Sequence, residues 1–457
     1  MKIKRQKIEN KLQIESGLAF NLLPWQSEAM KYGALWDTPA FFLDMRLGKT
    51  IVGIEWCLRR NLQKILVICP KTAIGSWQQH LEGAKIPQEY FIGEPKDYPK
   101  EMPANWKRWT LINPKALISK NCNIHWWRGW DCVIVDESDM LKNSKTKIYK
   151  RLRFFQSVPH KVLLTGTPSG EGIKDIIPQL IFLRGQVLGY TSMGAFKYHE
   201  MVRYGFEYKI RAATLRKLVP YIQNTCFKKT QAEVGFLSQK AVEIVHINPT
   251  LQQENLVRSL HEKYRMCIDG VRYTTKYALP IILWEGRIAG GVLGKKILNP
   301  AKYWYLKMHI QRNVQDQYVV WFRFNDQLHF VASNLRKAGV SVETFTGADD
   351  TPTRRQKEQD FLRGKIRVLL CQIKAAKYSL NLSSADWAVY YSNPYSMIER
   401  LQSEKRITHF TRKKPLKYIE LCTRGSIDED IYELLQKKKL SASSLWLCRS
   451  KSLSKIY

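Results

Sequence analysis

The sequence predicts an α/β protein with two parallel-sheet lobes and a helical insertion between them. Two features carry this prediction: short apolar runs rich in Ile, Val and Leu recur along the chain, and stretches with helical spacing separate them. Runs of this kind are typical of strands that are buried on both faces of a parallel sheet covered by helices. A chain of 457 residues has room for about three domains, so two lobes and an insertion fit its length.

Apolar runs in both halves of the chain predict the strands. In the first half they occupy residues 41–43, 64–69, 131–135 and 161–164. In the second half they occupy residues 318–322, 366–370, 387–391 and 418–421. Between the two sets, Leu251 to Met266 has helical spacing without a strand run. We therefore predict an N-terminal segment (1–20), a first lobe (21–245), a helical insertion and linker (246–298), a second lobe (299–440) and a basic tail (441–457).

The charge of the chain predicts a polyanionic partner. Lysine and arginine number 74 and aspartate and glutamate 40, which gives a formal net charge of +34. Such a surplus argues against a basic partner and favours nucleic acid. A single basic run is more often a solvated face, but several runs in one chain favour phosphate contact. The runs span residues 142–153, 209–217, 228–229, 400–414 and 437–439.

Cysteine spacing and hydropathy exclude other classes of protein. None of the nine cysteines lies in a Cys-x-x-Cys pair, so neither a disulfide framework nor a zinc ribbon is predicted. The N-terminus has no apolar run of the kind that a secretory signal needs, and the longest apolar stretches are too short to span a membrane. We therefore expect a cytoplasmic protein with no membrane partner.

A phosphate-binding loop is predicted at Leu43-Asp-Met-Arg-Leu-Gly-Lys-Thr50, between an apolar run and a helical segment. A strand, a tight loop and a helix N-terminus place backbone N–H groups around a phosphate, and the helix dipole favours its charge. Lys49 is expected to reach the β- and γ-phosphates, and the Thr50 hydroxyl to hold Mg²⁺. Gly-Lys-Thr alone is a weak signal, because Leu43 replaces the usual first glycine.

Two acidic residues complete the expected nucleotide site. The apolar run Val133-Ile-Val135 ends in Asp136 and Glu137. Asp136 at the strand tip would bind Mg²⁺ through water, and Glu137 would polarise the attacking water of a nucleotide triphosphatase. Two carboxylates at a strand end are common by themselves, but together with Lys49 and Thr50 they indicate this chemistry.

The ordered set of motifs resembles the SWI/SNF-like ATPase family of superfamily 2 helicases and translocases. In the first half the resemblance rests on Leu23-Pro-Trp-Gln26, on Asp44 to Thr50, on Cys69-Pro-Lys71 followed by Trp77, on Asp136 to Asn143 and on Leu163 to Pro168. In the second half it rests on Gly347 with Arg354, Arg355, Asp360 and Phe361, on Leu380 to Asp386, on Asn393-Pro394 and on Gln402 to Arg406. The resemblance implies two RecA-like lobes, with ATP and Mg²⁺ as cofactors.

The resemblance also implies roles for individual residues. ATP contacts fall on Gln26, Arg46, Gly48, Lys49 and Thr50, and Mg²⁺ contacts on Thr50 and Asp136. Catalytic roles fall on Lys49, Glu137 and Arg406, where Arg406 would present its charge to the γ-phosphate across a cleft. Coupling of hydrolysis to domain movement falls on Thr165, Thr167 and Gln402. Nucleic-acid contacts fall on Lys71, Lys142, Arg355 and Asn381.

The chain departs from the family pattern in three segments. Arg46 stands where glycine is usual in the phosphate loop, and Lys377-Tyr378-Ser379 replace the glycines expected before Leu380. His409 occupies the place of a second finger arginine. Histidine is a weak, pH-dependent substitute for a permanent cation. Either Arg412, one helical turn further on, replaces that arginine, or Arg406 acts alone, or turnover is slow.

The leading hypothesis for function is an ATP-driven motor on DNA. Contact with phosphates rather than bases predicts little sequence preference. By analogy with the compact bacterial or phage type, and with annealing and branch-migrating relatives, we expect a monomeric motor on duplex, forked or branched DNA in a bacterial or phage-infected cytosol. One alternative is a duplex translocase that displaces proteins without strand separation. Another is a DNA-binding protein with weak ATPase, which only His409 supports.

Overall fold

Two parallel β-sheets organise the chain, one in each of two units, within residues 1–236 and 237–440. The structure is a computed structural model that describes residues 20–84, 90–92, 108–119, 129–169, 172–204, 207–235, 240–263, 265–268, 271–275, 277–377, 380–408 and 416–437. The predicted basic tail and all but one residue of the predicted N-terminal segment lie outside these ranges. Within them, no helix combines the length and apolar character needed to cross a bilayer.

In the described part of the first unit, seven parallel strands form one sheet. They are β1 (Ala40–Leu43), β2 (Ile65–Ile68), β3 (Tyr90–Ile92), β4 (Trp109–Ile112), β5 (Cys132–Asp136), β6 (His160–Leu164) and β9 (Phe227–Lys229). Their order is β3-β4-β2-β5-β6-β1-β9, so β6 lies between β1 and β5. An antiparallel hairpin precedes β9 and consists of β7 (Met201–Tyr204) and β8 (Glu207–Ile210).

Helices connect these strands. In chain order they are α1 (Pro24–Gly33), α2 (Lys49–Arg59), α3 (Ile74–Gly83), α4 (Lys147–Leu152), α5 (Ile176–Arg184), α6 (Met193–Glu200) and α7 (Ala212–Thr225). The α2 helix follows β1, and a 3-10 turn, Ser138–Leu141, follows β5. These two connections carry the phosphate loop and the acidic residues that the sequence predicts.

The central strands are buried on both faces, as their apolar runs predict. Val133 and Val135 of β5 belong to one hydrophobic cluster, whereas Ile134 between them belongs to the cluster on the opposite face. Phe42 and Phe41 of β1 divide between the two clusters in the same way. Successive side chains of a strand point to opposite faces, so two apolar layers form around one sheet.

The second unit repeats this architecture. Its sheet is parallel throughout, in the order β10-β19-β18-β15-β17-β16. The strands are β10 (Lys240–Ile247), β15 (Tyr318–Phe322), β16 (Val342–Phe345), β17 (Val368–Gln372), β18 (Trp387–Tyr390) and β19 (Leu416–Thr423). Two antiparallel hairpins precede β15 and consist of β11 (Arg265–Ile268) with β12 (Val271–Thr274) and β13 (Val292–Leu293) with β14 (Lys296–Ile297).

The helices of the second unit alternate with its strands after β15. They are α8 (Leu251–Lys263), α9 (Ala278–Ala289), α10 (Ala301–Arg312), α11 (Asn325–Lys337), α12 (Thr351–Leu362), α13 (Met397–Ile407) and α14 (427–437). Two parallel sheets enclosed by helices confirm the predicted α/β class.

The strand β10 departs from the predicted division of the chain, which assigns residues up to 245 to the first lobe. It pairs along its whole length with β19, from Lys240 opposite Leu416 to Ile247 opposite Thr423. The predicted helical insertion contains α8 and α9 but also both hairpins of the second unit. Because the partner of β10 lies far along the chain, the local sequence pattern does not reveal to which sheet it belongs.

Candidate nucleotide-binding site

The predicted phosphate loop lies between β1 and α2. Gly48 directly precedes Lys49, the first residue of α2, and its φ of +80° is a left-handed value that glycine adopts without strain. A Cβ at Gly48 would lie 2.1 Å from Gln26 Nε2, so the available space also requires glycine. The loop leads straight into a helix N-terminus, whose first backbone N–H groups have no partner within the helix and can bind an anion.

Gln26 helps to hold this loop in place. Its side chain is 2% exposed; Oε1 accepts a hydrogen bond from the Leu23 N–H at 2.9 Å, and Nε2 donates to the Leu47 carbonyl at 3.1 Å. Trp25 Nε1 donates to the same carbonyl at 3.1 Å. The contact with adenine that the resemblance implies for Gln26 stays a prediction. The structure gives the side chain a further task, which is to fix the backbone before Gly48.

Asp136 brings the second half of the predicted site to the loop. Because β5, β6 and β1 are adjacent and parallel, their carboxyl ends meet at one edge of the sheet. The buried Asp136 carboxylate accepts hydrogen bonds from Trp77 Nε1 and from the Glu137 N–H, both at 2.9 Å. Burial and the neighbouring Glu137 raise the pKa of Asp136 to about 6, and the Lys49 ammonium opposes this rise. The charge of Lys49 therefore acts on the Asp136 carboxylate; the catalytic and metal-binding roles of the two residues stay predictions.

Two further carboxylates lie beside Asp136. Glu137 has a left-handed φ of +50°, and its Oε2 is buried without a hydrogen-bond partner among the described residues. Burial raises the pKa of Asp139 to about 8, the neighbouring Glu137 and Asp136 add to the rise, and Lys142 opposes it. Three acids at one strand end therefore repel one another in a poorly solvated place.

This donor set fits a triphosphate with Mg²⁺. Magnesium usually retains waters and phosphate oxygens and takes only one or two protein ligands, rather than an all-protein cage. In the described ranges no cluster of three or more His, Cys, Asp or Glu could hold a metal by itself. Thr50 and Asp136 would supply the hydroxyl and carboxylate oxygens. The raised pKa of Asp136 and the unpartnered Oε2 of Glu137 are the features that a cation and its waters would relieve.

The predicted coupling segment follows β6, beside the phosphate loop and the acids. Thr165 and Thr167 are buried, and the Thr165 hydroxyl oxygen accepts a hydrogen bond from the Thr167 N–H at 3.1 Å. Gln179 of α5 connects this segment with the acidic one. Its Oε1 accepts a hydrogen bond from the Ser138 hydroxyl at 2.9 Å, and its Nε2 donates to the Pro168 carbonyl at 2.8 Å.

Sequence reasoning missed two residues of this arrangement. Trp77 enters the sequence analysis only as part of the family resemblance, yet its side chain is fully buried and donates a hydrogen bond to Asp136. Gln179 was not singled out, although it is a polar residue inside the apolar stretch Ile176-Ile-Pro-Gln-Leu-Ile-Phe-Leu183. A buried glutamine requires hydrogen-bond partners, and that requirement was the available signal.

In the second unit, the structure brings the predicted Asn381 segment to the end of α13. The Leu382 N–H donates to the Arg406 carbonyl at 2.9 Å. The Asn381 N–H donates to the Glu358 carboxylate on α12 at 2.5 Å, which fixes the start of the same segment. Arg406 and the predicted Asn381 therefore belong to one local arrangement, within this unit.

The remaining predicted residues differ in their exposure and in the elements that carry them. Gln402 is half-buried on α13, and Arg355 is exposed on α12. In the first unit, Lys71 is exposed after β2, and Lys142 is half-buried after the acidic turn. The nucleic-acid contacts assigned to Lys71, Lys142, Arg355 and Asn381 stay predictions. His409 and Arg412, the possible finger substitutes, lie outside the described residues.

Within the described part of the basic run at 400–414, residues 400–408, two cations are buried. Arg400 is 5% exposed, and its guanidinium is paired with Glu420 and, at 2.9 Å, with Glu404. Lys405 is 9% exposed. Arg400 therefore anchors α13 on the sheet through a buried ion cluster, and it is not placed to bind phosphate.

Comparison with known families agrees with the geometry of the first unit and the fold of both. Residues 33–282 match the model of the SNF2-related domain, and residues 301–410 match that of the helicase conserved C-terminal domain. The chain therefore belongs to the SNF2-related family of helicase-like ATPases, which are enzymes that hydrolyse ATP, usually with Mg²⁺.

Curated relatives share low identity with most of the chain. Chromodomain-helicase-DNA-binding protein 1-like of Danio rerio is 24% identical over 94% of this chain and 44% of its own length. DNA repair and recombination protein RDH54 of Saccharomyces cerevisiae is 23% identical over 88% of this chain and 50% of its own length. The chain thus spans half or less of the length of these relatives.

Among solved structures, a Sulfolobus solfataricus SWI2/SNF2 ATPase core in complex with dsDNA is similar to this chain. The two are 19% identical, the match covers 97% of this chain and 98% of the other, and the TM-score is 0.44.

Proposed function

We propose that this protein is an ATP-driven motor that moves along the DNA backbone and remodels forked or branched duplexes. The observation that carries the ATPase half of the proposal is the position of the buried Asp136 at the same sheet edge as a glycine-dependent loop that leads into a helix N-terminus. The DNA half is supported by the net charge of +34 and by relatives named for DNA binding, repair and recombination.

The chemistry assigns one task to each residue of the site. The N–H groups at the start of α2 would hold the β-phosphate, while Lys49 would neutralise the β- and γ-oxygens. Thr50 and Asp136 would hold Mg²⁺, which supplies charge neutralisation to the phosphate oxygens. Glu137 would orient a water towards the γ-phosphorus and receive its proton as ADP leaves. The unpartnered Oε2 of Glu137 is available for that water.

Coupling of hydrolysis to movement is assigned to the segment after β6. Gln179 bonds to both Ser138 and Pro168, so a shift of the acidic segment on loss of the γ-phosphate would be transmitted to Thr165 and Thr167. Arg406 and Gln402 remain the predicted finger arginine and coupling residue of the second unit.

Phosphate release in the presence of single-stranded, duplex, forked and four-way DNA tests the proposal. We expect DNA to stimulate hydrolysis, and we expect Lys49→Ala and Glu137→Gln each to abolish it while DNA binding persists. Arg336→Gln, an exposed cation of α11 outside the motifs, serves as a control with normal turnover. Absence of DNA-stimulated hydrolysis in the unmodified protein would refute the motor.

A labelled forked substrate separates the two kinds of motor. Release of the labelled strand with ATP supports remodelling of forked DNA. DNA-stimulated hydrolysis without release, together with displacement of a bound protein from duplex DNA, would favour the translocase that acts without strand separation.

A further inference from the structure

Arg46 lies in the phosphate loop in a backbone conformation that is unfavourable for any residue with a side chain. Its φ is +66°, in the left-handed region that glycine occupies freely. Gly48, two residues later, also has a positive φ, but there the residue is glycine. A glycine at position 46 would relieve the strain, so the arginine is retained at a cost to the free energy of folding.

The loop before Arg46 is held by a residue from the far end of the first unit. The Gln231 N–H donates to Asp44 Oδ2 at 3.1 Å, and Gln231 Nε2 donates to the Met45 carbonyl at 3.1 Å. The Asp44 N–H donates to the Lys229 carbonyl at 3.0 Å. The backbone that enters position 46 is therefore fixed by β9 and the turn after it.

The loop after Arg46 is held from the other side. The Leu47 carbonyl accepts hydrogen bonds from both Trp25 and Gln26, and the Leu47 N–H donates to the Asp44 carbonyl at 3.2 Å. Strained backbone persists where surrounding contacts determine it from several directions, and such strain concentrates at functional sites. The strain at Arg46 is thus enforced by the same contacts that shape the phosphate loop.

The Arg46 side chain is less buried than those of its two neighbours. Met45 and Leu47 are 6% and 0% exposed and pack in the core, whereas Arg46 between them is half-buried. Arg46 precedes Lys49 on the same short loop, and the charge of Lys49 acts on the buried Asp136 carboxylate. The structure thus places a partly accessible guanidinium three residues before Lys49, on the loop that is predicted to enclose the phosphates.

We propose that Arg46 is a second cation of the triphosphate site, which binds oxygens of the γ-phosphate and makes the loop prefer ATP over ADP. This inference rests on the proposed ATP site and adds a residue that discriminates between substrate and product. A planar guanidinium can donate two parallel hydrogen bonds to one phosphate, whereas the Lys49 ammonium acts as a point charge. ADP lacks the γ-phosphate, so Arg46 would lose its ligand when ADP replaces ATP.

Three substitutions separate charge from backbone strain. Arg46→Gly removes the cation and relieves the strain, Arg46→Ala removes the cation and keeps the strain, and Arg46→Lys keeps a charge without the paired donors. Arg216→Ala, which changes an exposed arginine of α7, is a matched control outside the loop. The measurements are the affinities for a fluorescent ADP and for a non-hydrolysable ATP analogue, the thermal unfolding midpoint and the turnover at saturating ATP.

We expect Arg46→Gly and Arg46→Ala each to weaken binding of the ATP analogue by about tenfold or more while ADP affinity changes by less than about threefold. Arg46→Lys should fall between them and the unmodified protein. Arg46→Gly should unfold at the same or a higher temperature than the unmodified protein, and its turnover should nevertheless fall. A loss of affinity at undiminished stability cannot come from misfolding.

The opposite result is equally clear. If Arg46→Gly is more stable and keeps both the preference for the ATP analogue and the turnover, Arg46 is a strained loop residue and the proposal is overturned. Nucleotide binding needs no hydrolysis, so the two proposals can fail separately. If the unmodified protein binds both nucleotides but shows no DNA-stimulated turnover, the motor is refuted, and the affinities of the Arg46 variants still decide this inference. If the unmodified protein binds neither nucleotide, both proposals fail.

Discussion

Three carboxylates at the end of β5 show how burial changes the chemistry of single residues. The sequence predicts Asp136 and Glu137 as site residues, because an apolar run that ends in two acids follows a phosphate-loop motif. The raised pKa values of Asp136 and Asp139 cannot, since they depend on burial and on the mutual distance of the side chains. The same holds for Trp77, whose hydrogen bond to Asp136 joins residues 59 positions apart.

The pH dependence of stability tests the raised pKa of Asp139. The pKa of Asp139 is raised from 3.8 to about 8, so the folded protein binds more protons than the unfolded chain between these values. The stability that the protonated carboxyl contributes is therefore complete below its unfolded pKa and is lost as the pH rises through about 8. We expect the thermal midpoint of the nucleotide-free protein to fall from pH 5 to pH 9, and Asp139→Asn to flatten this decline.

Asp430→Asn, which changes an exposed carboxylate of α14, is the matched control for that measurement. Its midpoint should follow the unmodified protein across the same pH range. Parallel curves for Asp139→Asn and the unmodified protein would contradict a raised pKa at Asp139.

At the scale of elements, the strands that are buried on both faces are the ones that the sequence predicts best. The run at 318–322 and the strand Tyr318–Phe322 coincide. The edge strand β10 was missed because it exposes part of its apolar surface, with Val242 49% and Ile244 41% exposed, and so lacks the continuous burial of a central strand. Its pairing with β19 is a tertiary contact between distant segments, which local periodicity cannot predict.

The α5 helix gives an element-scale prediction, because it links two functional loops through one side chain. Gln179→Met keeps the size of the side chain but leaves the Ser138 hydroxyl and the carbonyls of Pro168 and Asp175 without this partner. We expect a loss of about 1–3 kcal/mol in the free energy of unfolding, from buried polar groups left unsatisfied. Urea denaturation measures it, and DNA-stimulated hydrolysis should fall as well.

Ser138→Ala is the control for this prediction, since it removes a single hydrogen bond from the same network. Its loss should be smaller, at about 1 kcal/mol. If Gln179→Met is as stable and as active as the unmodified protein, α5 does not connect the two loops energetically.

For the whole molecule, the sequence predicts the amount of positive charge but not how much of it reaches the surface. Arg400 is buried in an ion cluster with Glu420, and Lys302, 2% exposed, is paired with Asp428 at 2.6 Å. Such pairs are invisible in a count of lysines and arginines, because their partners come from distant segments. The large surplus that remains still predicts binding that is governed by phosphate contact.

The salt dependence of DNA affinity tests whether phosphate contact governs binding. Contact with about six to ten phosphates should make DNA affinity fall by about 10³–10⁵ between 50 and 200 mM salt, with little difference between unrelated duplexes of equal length. Lys71→Gln and Arg355→Gln, at predicted contacts, should each lower the steepness of the logarithmic salt dependence by about one. Arg336→Gln, an exposed cation paired with Glu343, should leave it unchanged. A shallow salt dependence would show that phosphate contact does not govern binding. Equal effects of all three substitutions would show that Lys71 and Arg355 do not carry the phosphate contacts. A strong preference for one duplex sequence would show that the protein recognises bases rather than the backbone.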